Sequence, residues 1–277
     1  MTMSTEAPLG EVTVTQRLLA VAPPRGDHRA LVAGSAGLAC GYAGLAATVQ
    51  AAAAGLAWRG LQPRDVVGVY VPDAACYVYA AHAVRAAGGV PMPIALALTV
   101  PEMAGQLADC RARMLLTAPP LAAAALAAAD RSWVRQVISF GEAPGATQFG
   151  TLLGMGTLRP ATGRPHDPAL LPYSRRPDGM LAPAPLSHHD MSGLLRRLDI
   201  EAGIGEKDVV LAAPPAGDGR CYTALLDHAL LRGATVVAVG AEDLATAADL
   251  HHGTAMIAAS SVAAGAHERL RVFAVAS

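Results

Sequence analysis

Apolar positions along the chain fall into two alternating kinds of segment. Alanine-rich stretches carry larger side chains at helical spacing, and short β-branched runs are bounded by glycine or proline. The spacing predicts a helix from Tyr42 to Arg59, with Leu45, Val49, Leu56 and Trp58 among its larger apolar residues and Gly60 just past its end. Asp65-Val-Val-Gly-Val-Tyr-Val71 reads as a buried strand closed by Pro72-Asp73. A helix from Ala74 to Ala87 ends at Gly88-Gly89, and Val90 to Ile94 is extended. Val100 to Cys110 opens a helix behind Thr99, with Glu102 at the third helical position to complete a capping box. Met114–Thr117 and Gln136–Ser139 are short strands that flank a helix from Leu121 to Ala129.

Phe140 to Pro168 is rich in proline and glycine and reads as a long loop or linker rather than a core element. Beyond it the pattern predicts a strand at Ala169–Tyr173, an irregular segment from Ser174 to Leu186, and a helix from about His189 to Leu198. Val209–Ala213, Ala234–Val239 and Ala255–Ala259 are further strands, separated by helices at Tyr222–Leu231 and Asp243–Leu250. Leu270 to Val275 is a last strand. Repeated strand–helix–strand units of this length imply an α/β fold: a parallel-sheet core with flanking helices. The expected organisation is a first α/β subdomain over 1–139, a linker over 140–168 and a second α/β subdomain over 169–277.

Composition narrows the classes. Of 277 residues, 61 are alanine, so the 53% hydrophobic share reflects small residues rather than a membrane-like chain. Charged residues break every long apolar run short of a membrane span, and the first ten residues lack the cationic head of a signal peptide. A net charge of −1 leaves no electrostatic footprint for nucleic acid or an anionic membrane. Four scattered cysteines (Cys40, Cys76, Cys110, Cys221) form no CxxC pair, which points to reduced thiols and a cytoplasmic location rather than disulfides or a thiolate zinc site. Lys207 is the only lysine, so chemistry that needs two lysines is excluded.

Six segments in order carry a resemblance. Arg59-Gly-Leu-Gln-Pro-Arg-Asp-Val-Val-Gly-Val-Tyr-Val-Pro-Asp73 looks like "RGVRPGDVVAVLLPN", Ala83 to Pro93 looks like "AVLRAGGVVVPLNP", and Leu98 to Arg113 is similar to "LTAEELAYQLADSGAR". Ala169-Leu-Leu-Pro-Tyr-Ser174 matches a strand entering a phosphate loop, and Asp208–Leu211 and Arg232–Val237 match two later strands. Together they resemble the adenylate-forming superfamily, most closely acyl- and aryl-CoA ligases of the coumarate–CoA ligase type, from roughly Leu18 to Ser277. The resemblance implies the front part of that family's N-terminal domain, with the adenine-binding loop, hinge and C-terminal lysine domain absent.

The departures are chemical. The family's phosphate loop is "YSSGTTGLPKGVMLSH", whereas this chain reads Tyr173-Ser-Arg-Arg-Pro-Asp-Gly-Met-Leu-Ala-Pro-Ala-Pro-Leu-Ser-His188. Tyr173, Ser174, Gly179, Leu186, Ser187 and His188 survive. Arg175, Arg176, Pro177 and Asp178 replace the small residues whose N–H groups would approach an anion, and Ala182 stands where the family has its lysine. Pro177 has no N–H and Asp178 repels phosphate. The acyl-pocket segment "LPFFHIYG" is replaced by Pro214 to Cys221, in which Ala216, Gly217 and Asp218 keep neither the aromatic nor the histidine.

Other candidates have simpler readings beside the functional ones. Arg175-Arg176 suits bidentate anion recognition or is a solvated loop. Ser187-His188-His189 is a nucleophile–base or metal set, or a helix cap with incidental histidines. His251-His252 fits a helix end. Asp218 and Asp227 with His228 lack a Gly-x-Ser-x-Gly elbow. The resulting expectation is a truncated, degenerate ligase homologue without catalytic residues or a metal site, acting as a binding or scaffolding partner. Its expected partners are a second copy, a full-length ligase or a biosynthetic enzyme, with no nucleic acid and no membrane. The alternatives are an acid–CoA ligase subunit completed in trans, or an acyl/CoA-binding module; ATP, Mg²⁺ and CoA are cofactors only under the enzyme alternative.

Overall fold

The computed structural model describes residues 12–33, 38–156, 164–175, 180–214, 219–240, 243–259 and 270–275. The chain begins with helix α1 (Val14–Arg25), strands β1 (Arg29–Ala33) and β2 (Leu38–Gly41), and helix α2 (Tyr42–Trp58). Then come β3 (Val66–Val69), α3 (Ala74–Ala86), β4 (Val90–Pro93), α4 (Val100–Asp109), β5 (Met114–Thr117), α5 (Ala122–Ala129), β6 (Gln136–Ser139) and β7 (Thr147–Gln148). Short strands β8 (Pro168–Leu170), β9 (Tyr173–Arg175), β10 (Leu181–Pro183) and β11 (Leu186–Ser187) lead into α6 (His188–Glu201). The remainder is β12 (Val209–Ala212), α7 (Gly219–Leu231), β13 (Thr235–Ala238), α8 (Leu244–Leu250), β14 (Ala255–Ala259) and β15 (Arg271–Val275).

Two sheets result. The five-stranded one runs β4-β3-β5-β6-β7 and is parallel throughout. The six-stranded one runs β15-β14-β12-β13-β1-β2 and is parallel except for the β1–β2 pair. Strand β1, near the start of the chain, pairs with β13, more than two hundred residues later, so that Leu31 lies opposite Val236.

Side-chain burial defines five layers. The inner faces of both sheets, through Val67, Leu116 and Ile138 on one and Leu31, Val210 and Ile257 on the other, share a single core with α2, α3 and α7 between them. Met92, Leu115 and Val137 on the outer face of the smaller sheet pack under Met103 and Leu107 of α4 and Ala125 and Ala128 of α5. Leu211, Val237 and Met256 on the outer face of the larger sheet pack under Leu244, Ala247 and Ala248 of α8. A further cluster joins Val14 of α1, Ala169 and Leu170 of β8, and Met191 and Leu195 of α6. Buried parallel strands explain the unbroken apolar runs, since both faces of each sheet are covered.

The predicted helices and strands from Tyr42 onward are present to within one to three residues at their ends. The α/β class with parallel sheets and flanking helices holds, with antiparallel pairing confined to β1–β2 and the short hairpins. Three elements ahead of Tyr42 have no counterpart in the sequence pattern. Helix α1 ends in Pro23-Pro24, residues that ordinarily break a helix, and β1 and β2 are short strands whose pairing partners are set by the tertiary fold. The stretch expected as a long loop or linker is also partly core. Phe149 and Leu152 sit buried in a 3-10 turn (Phe149–Leu152), Phe140 stacks on Phe149, and the turn packs on α2. The segment from Ser174 to Leu186, expected to be irregular, contains the antiparallel pair β9–β10. None of the four cysteines forms a disulfide, and no helix among the described residues is long and apolar enough to cross a membrane.

Candidate functional site

Those residues matching the family's phosphate loop that are described follow β8 beyond the edge of the smaller sheet. Leu171 N–H donates to Pro91 O at 3.0 Å, and Ala184 N–H donates to Pro172 O at 2.8 Å. The pair β9–β10 then projects with Ser174 opposite Ala182 and Tyr173 opposite Pro183. Tyr173 anchors it: its hydroxyl lies 3.1 Å from Cys110 Sγ and 3.3 Å from both Gln106 O and Asp109 Oδ2 at the end of α4. Burial, with Cys110 and Asp109 adding to it, pushes the Tyr173 phenol well above its ordinary range, so it stays neutral. The Ser174 hydroxyl is buried and has no hydrogen-bond partner among the described residues. Arg175 is placed by its backbone as the last residue of β9; Arg176 and Gly179 lie outside the described residues.

Ser187 and His188 divide into two roles. Ser187 is the N-cap of α6. Its hydroxyl accepts from Asp190 N–H at 3.1 Å while its own N–H donates to Asp190 Oδ2 at 2.9 Å, a capping box that holds the Asp190 carboxyl below its usual range. The His188 and His189 N–H groups are already taken by Asp167 O and Pro165 O. The N-terminus of α6 is therefore saturated and offers no free donors to an anion. The His188 ring is pushed down to about 4 by burial, with nearby Arg85 adding and Asp167 opposing, so it is neutral near neutral pH. His189 is exposed, its ring 5.9 Å from that of His166. Among the described residues no group of three or more His, Cys, Asp or Glu is arranged to hold a metal.

Beneath this hairpin lies a buried polar cluster that the sequence reading did not find. Arg85 of α3 donates through Nε to Ala169 O of β8 at 3.1 Å and through Nη1 to Asp227 Oδ2 of α7 at 2.9 Å. His82 Nε2 lies 3.2 Å from the other Asp227 oxygen, and His82 Nδ1 lies 2.9 Å from Thr15 Oγ1 of α1. Burial alone would raise the Asp227 carboxyl, but the Arg85 guanidinium and the His82 contact outweigh it and hold it below its usual value. Asp227 and His228, neighbours in sequence, point to different partners: His228 Nδ1 faces Asp199 at 3.4 Å. The cluster joins residues 142 positions apart, and no local motif announces such a pairing.

Ala216, Gly217 and Asp218 of the acyl-pocket segment lie outside the described residues. What brackets them is well defined. Ala213 O accepts from Tyr222 OH at 2.9 Å, and Tyr77 OH and Thr223 Oγ1 are 2.5 Å apart. At Gly219 an added Cβ would meet Pro93 Cβ at 2.8 Å, so α7 starts hard against the carboxyl end of β4. Ligands of open α/β sheets bind at the carboxyl ends of strands, and the described residues flanking the segment, Ala213 after β12 and Gly219 against Pro93, lie at such ends.

Among the described residues the hairpin presents no convergent set of donors for a nucleoside triphosphate. Pro183 and Pro185 bring no N–H groups, Ala182 brings no charge where it faces Ser174, and Ala184 N–H is spent on Pro172 O. One unpartnered hydroxyl, at Ser174, remains. Phosphate loops work through several convergent backbone donors and a cation, and the described hairpin offers neither. Lys207 lies in the turn ahead of β12, away from β10 in sequence and element.

Comparison with known proteins agrees with the architecture. Feruloyl-CoA synthases of Amycolatopsis sp and Streptomyces sp are 28% identical over 207 residues, which is 75% of this chain and 40% of theirs. The apo structure of MbtA from Mycobacterium smegmatis superposes with a TM-score of 0.83 at 25% identity, covering 95% of this chain and 52% of MbtA. A long-chain-fatty-acid–CoA ligase from Archaeoglobus fulgidus gives a TM-score of 0.81 at 18% identity, covering 95% of this chain and 54% of its own. The chain thus spans about half the length of these relatives. The sequence profile of the AMP-binding enzymes matches residues 20–265. With that match over most of its length and the fold of the acyl-CoA ligases' N-terminal domain, the chain belongs to the AMP-binding enzyme family.

Proposed function

We propose that this chain does not form acyl adenylates by itself and serves as a binding or scaffolding partner in a biosynthetic pathway. It would assemble with a second copy, a full-length ligase or another biosynthetic enzyme. The observation that carries this reading is the β9–β10 hairpin. Its register sets Ala182 against Ser174 at the place of the family's lysine, its prolines remove N–H donors, and the helix that follows is capped from within by Asp167, Pro165 and Asp190. The scaffold is kept while the anion chemistry at this loop is replaced, as expected of a fold retained for recognition. The alternative is an ATP-dependent acid–CoA ligase subunit whose missing lysine and phosphate contacts come from a second polypeptide.

Pyrophosphate–ATP exchange with a panel of aromatic and aliphatic carboxylic acids separates these readings. The expected result is no exchange above background and a melting-temperature shift under about 1 °C with ATP·Mg²⁺, where a ligand at a hundred times its Kd would add about 2.7 kcal/mol. Exchange with any acid by the chain alone overturns the proposal. Exchange that appears only with a co-purifying polypeptide replaces it with the trans-complemented ligase.

A further inference from the structure

Both tryptophans of the chain are exposed, Trp58 by 69% and Trp133 by 63%, although such residues normally bury most of their area. Arg59, next to Trp58, draws them to one region. Its backbone oxygen accepts from Gln136 Nε2 at 3.1 Å, and its Nη2 donates to Thr151 Oγ1 at 3.2 Å. The stretch with Trp133 and the stretch with exposed Leu153 and Met155 therefore converge on the carboxyl end of α2. Single exposed apolar residues need no explanation, but here two tryptophans, a leucine and a methionine lie on the three stretches that Arg59 ties together.

The surroundings are basic. Arg113 O accepts from Arg135 N–H at 3.0 Å, which sets these two residues side by side at the amino ends of β5 and β6. Arg111, Arg113, Arg131 and Arg135 are all exposed, and none forms an ion pair among the described residues. The acidic residues in stretches 109–113 and 130–135 are Asp109 and Asp130, and Asp109 is engaged by the Tyr173 hydroxyl.

We infer that this face, centred on Trp58 and Trp133 and rimmed by the four arginines, is a docking surface for a protein partner that presents apolar residues within a ring of Asp and Glu. Tryptophan, methionine and arginine are the residues enriched at the centres of protein interfaces. Charge selects among occupants. A second copy meeting the same face would set arginines against arginines across a two-fold axis. Nucleic acid is favoured by a broad basic field, and the chain's net charge is −1. An acidic protein surface satisfies both the apolar centre and the rim. The surface is separate from the β9–β10 hairpin, so it stands or falls independently of whether the chain adenylates.

The test places a photo-reactive benzoylphenylalanine at position 133 in the full chain, expressed in its own cells, with the same residue at exposed Ile200 as the control. Peptide mapping identifies the cross-linked segment. The expected result is a cross-link from position 133 to an Asp/Glu-rich segment of another protein, absent from position 200. Its yield should fall at least about tenfold in the Arg131→Glu/Arg135→Glu variant, the effect of reversing charges at an interface rim. An unchanged melting temperature and far-ultraviolet spectrum show that the surface changes leave the fold intact. Cross-links only to copies of this chain, only to nucleic acid, none at all, or a yield indifferent to charge reversal would each overturn the inference.

Discussion

Asp227 looks from its neighbours in sequence like half of an Asp–His pair, yet it serves Arg85 and His82 instead. The pairing is fully buried, and its worth lies less in attraction than in the cost of leaving Arg85 unmatched inside the protein. Replacing Asp227 with Asn should lower the unfolding free energy by about 3–5 kcal/mol at neutral pH, read from urea denaturation. The carboxyl is held below its unfolded value, so its contribution is present above about pH 3.9 and is lost as pH falls through the folded value. The difference between variant and parent should accordingly shrink in acid. A constant difference across the same range would mean that Asp227 acts through packing rather than charge. Because Arg85 also donates to Ala169 O, this guanidinium ties the strand leading to the β9–β10 hairpin to α3.

The elements the sequence announced are those with local causes. The capping box at Thr99–Glu102 and the glycine after α2 act within a few residues, and each is where the pattern placed it; Ser187, read as one possible helix cap, forms a capping box with Asp190 that the pattern had not named. The turn at Phe149–Leu152 was hidden in a proline- and glycine-rich stretch because its burial comes from α2, nearly a hundred residues earlier. Gly55 makes that contact feasible: an added Cβ would lie 2.5 Å from Leu152 O. Gly55→Ala should therefore destabilise by about 1–3 kcal/mol despite the better helix propensity of alanine. Gly105→Ala, in a helix with nothing within 4 Å of the new Cβ, should instead stabilise by about 0.5–1 kcal/mol. Thermal or urea unfolding of the two variants decides; equal effects would remove the packing argument.

The principal core draws on both sheets at once. Val67 and Leu116 of the smaller sheet and Val210 and Ile257 of the larger share it through α2, α3 and α7, and β1 adds a strand from the start of the chain to the sheet built by its end. Loss of either sheet would strip the other's inner face of its cover. Unfolding should therefore be a single cooperative transition. The buried rings of Tyr42, Tyr77 and Tyr222 report on the shared core by near-ultraviolet circular dichroism, while the far-ultraviolet signal reports on all helices. Coincident transitions by the two probes are the expected outcome; two separated midpoints would show that the sheets unfold as independent units.

The sequence by itself determined the alternation of helix and strand from Tyr42 onward, the α/β class and the family, because periodicity, caps and short motifs are local properties of the chain. It also carried the expectation that the segments matching the phosphate loop and acyl pocket depart from the family pattern, as at Ala182 and Asp218. Only the tertiary structure decided that β1 closes onto β13, that Phe149 and Leu152 belong to the core, that Arg85, His82 and Asp227 form one buried cluster, and that both tryptophans face solvent beside unpaired arginines. Each of these depends on groups far apart in the chain, and their partners exist only once the two sheets have closed on the shared helical layer.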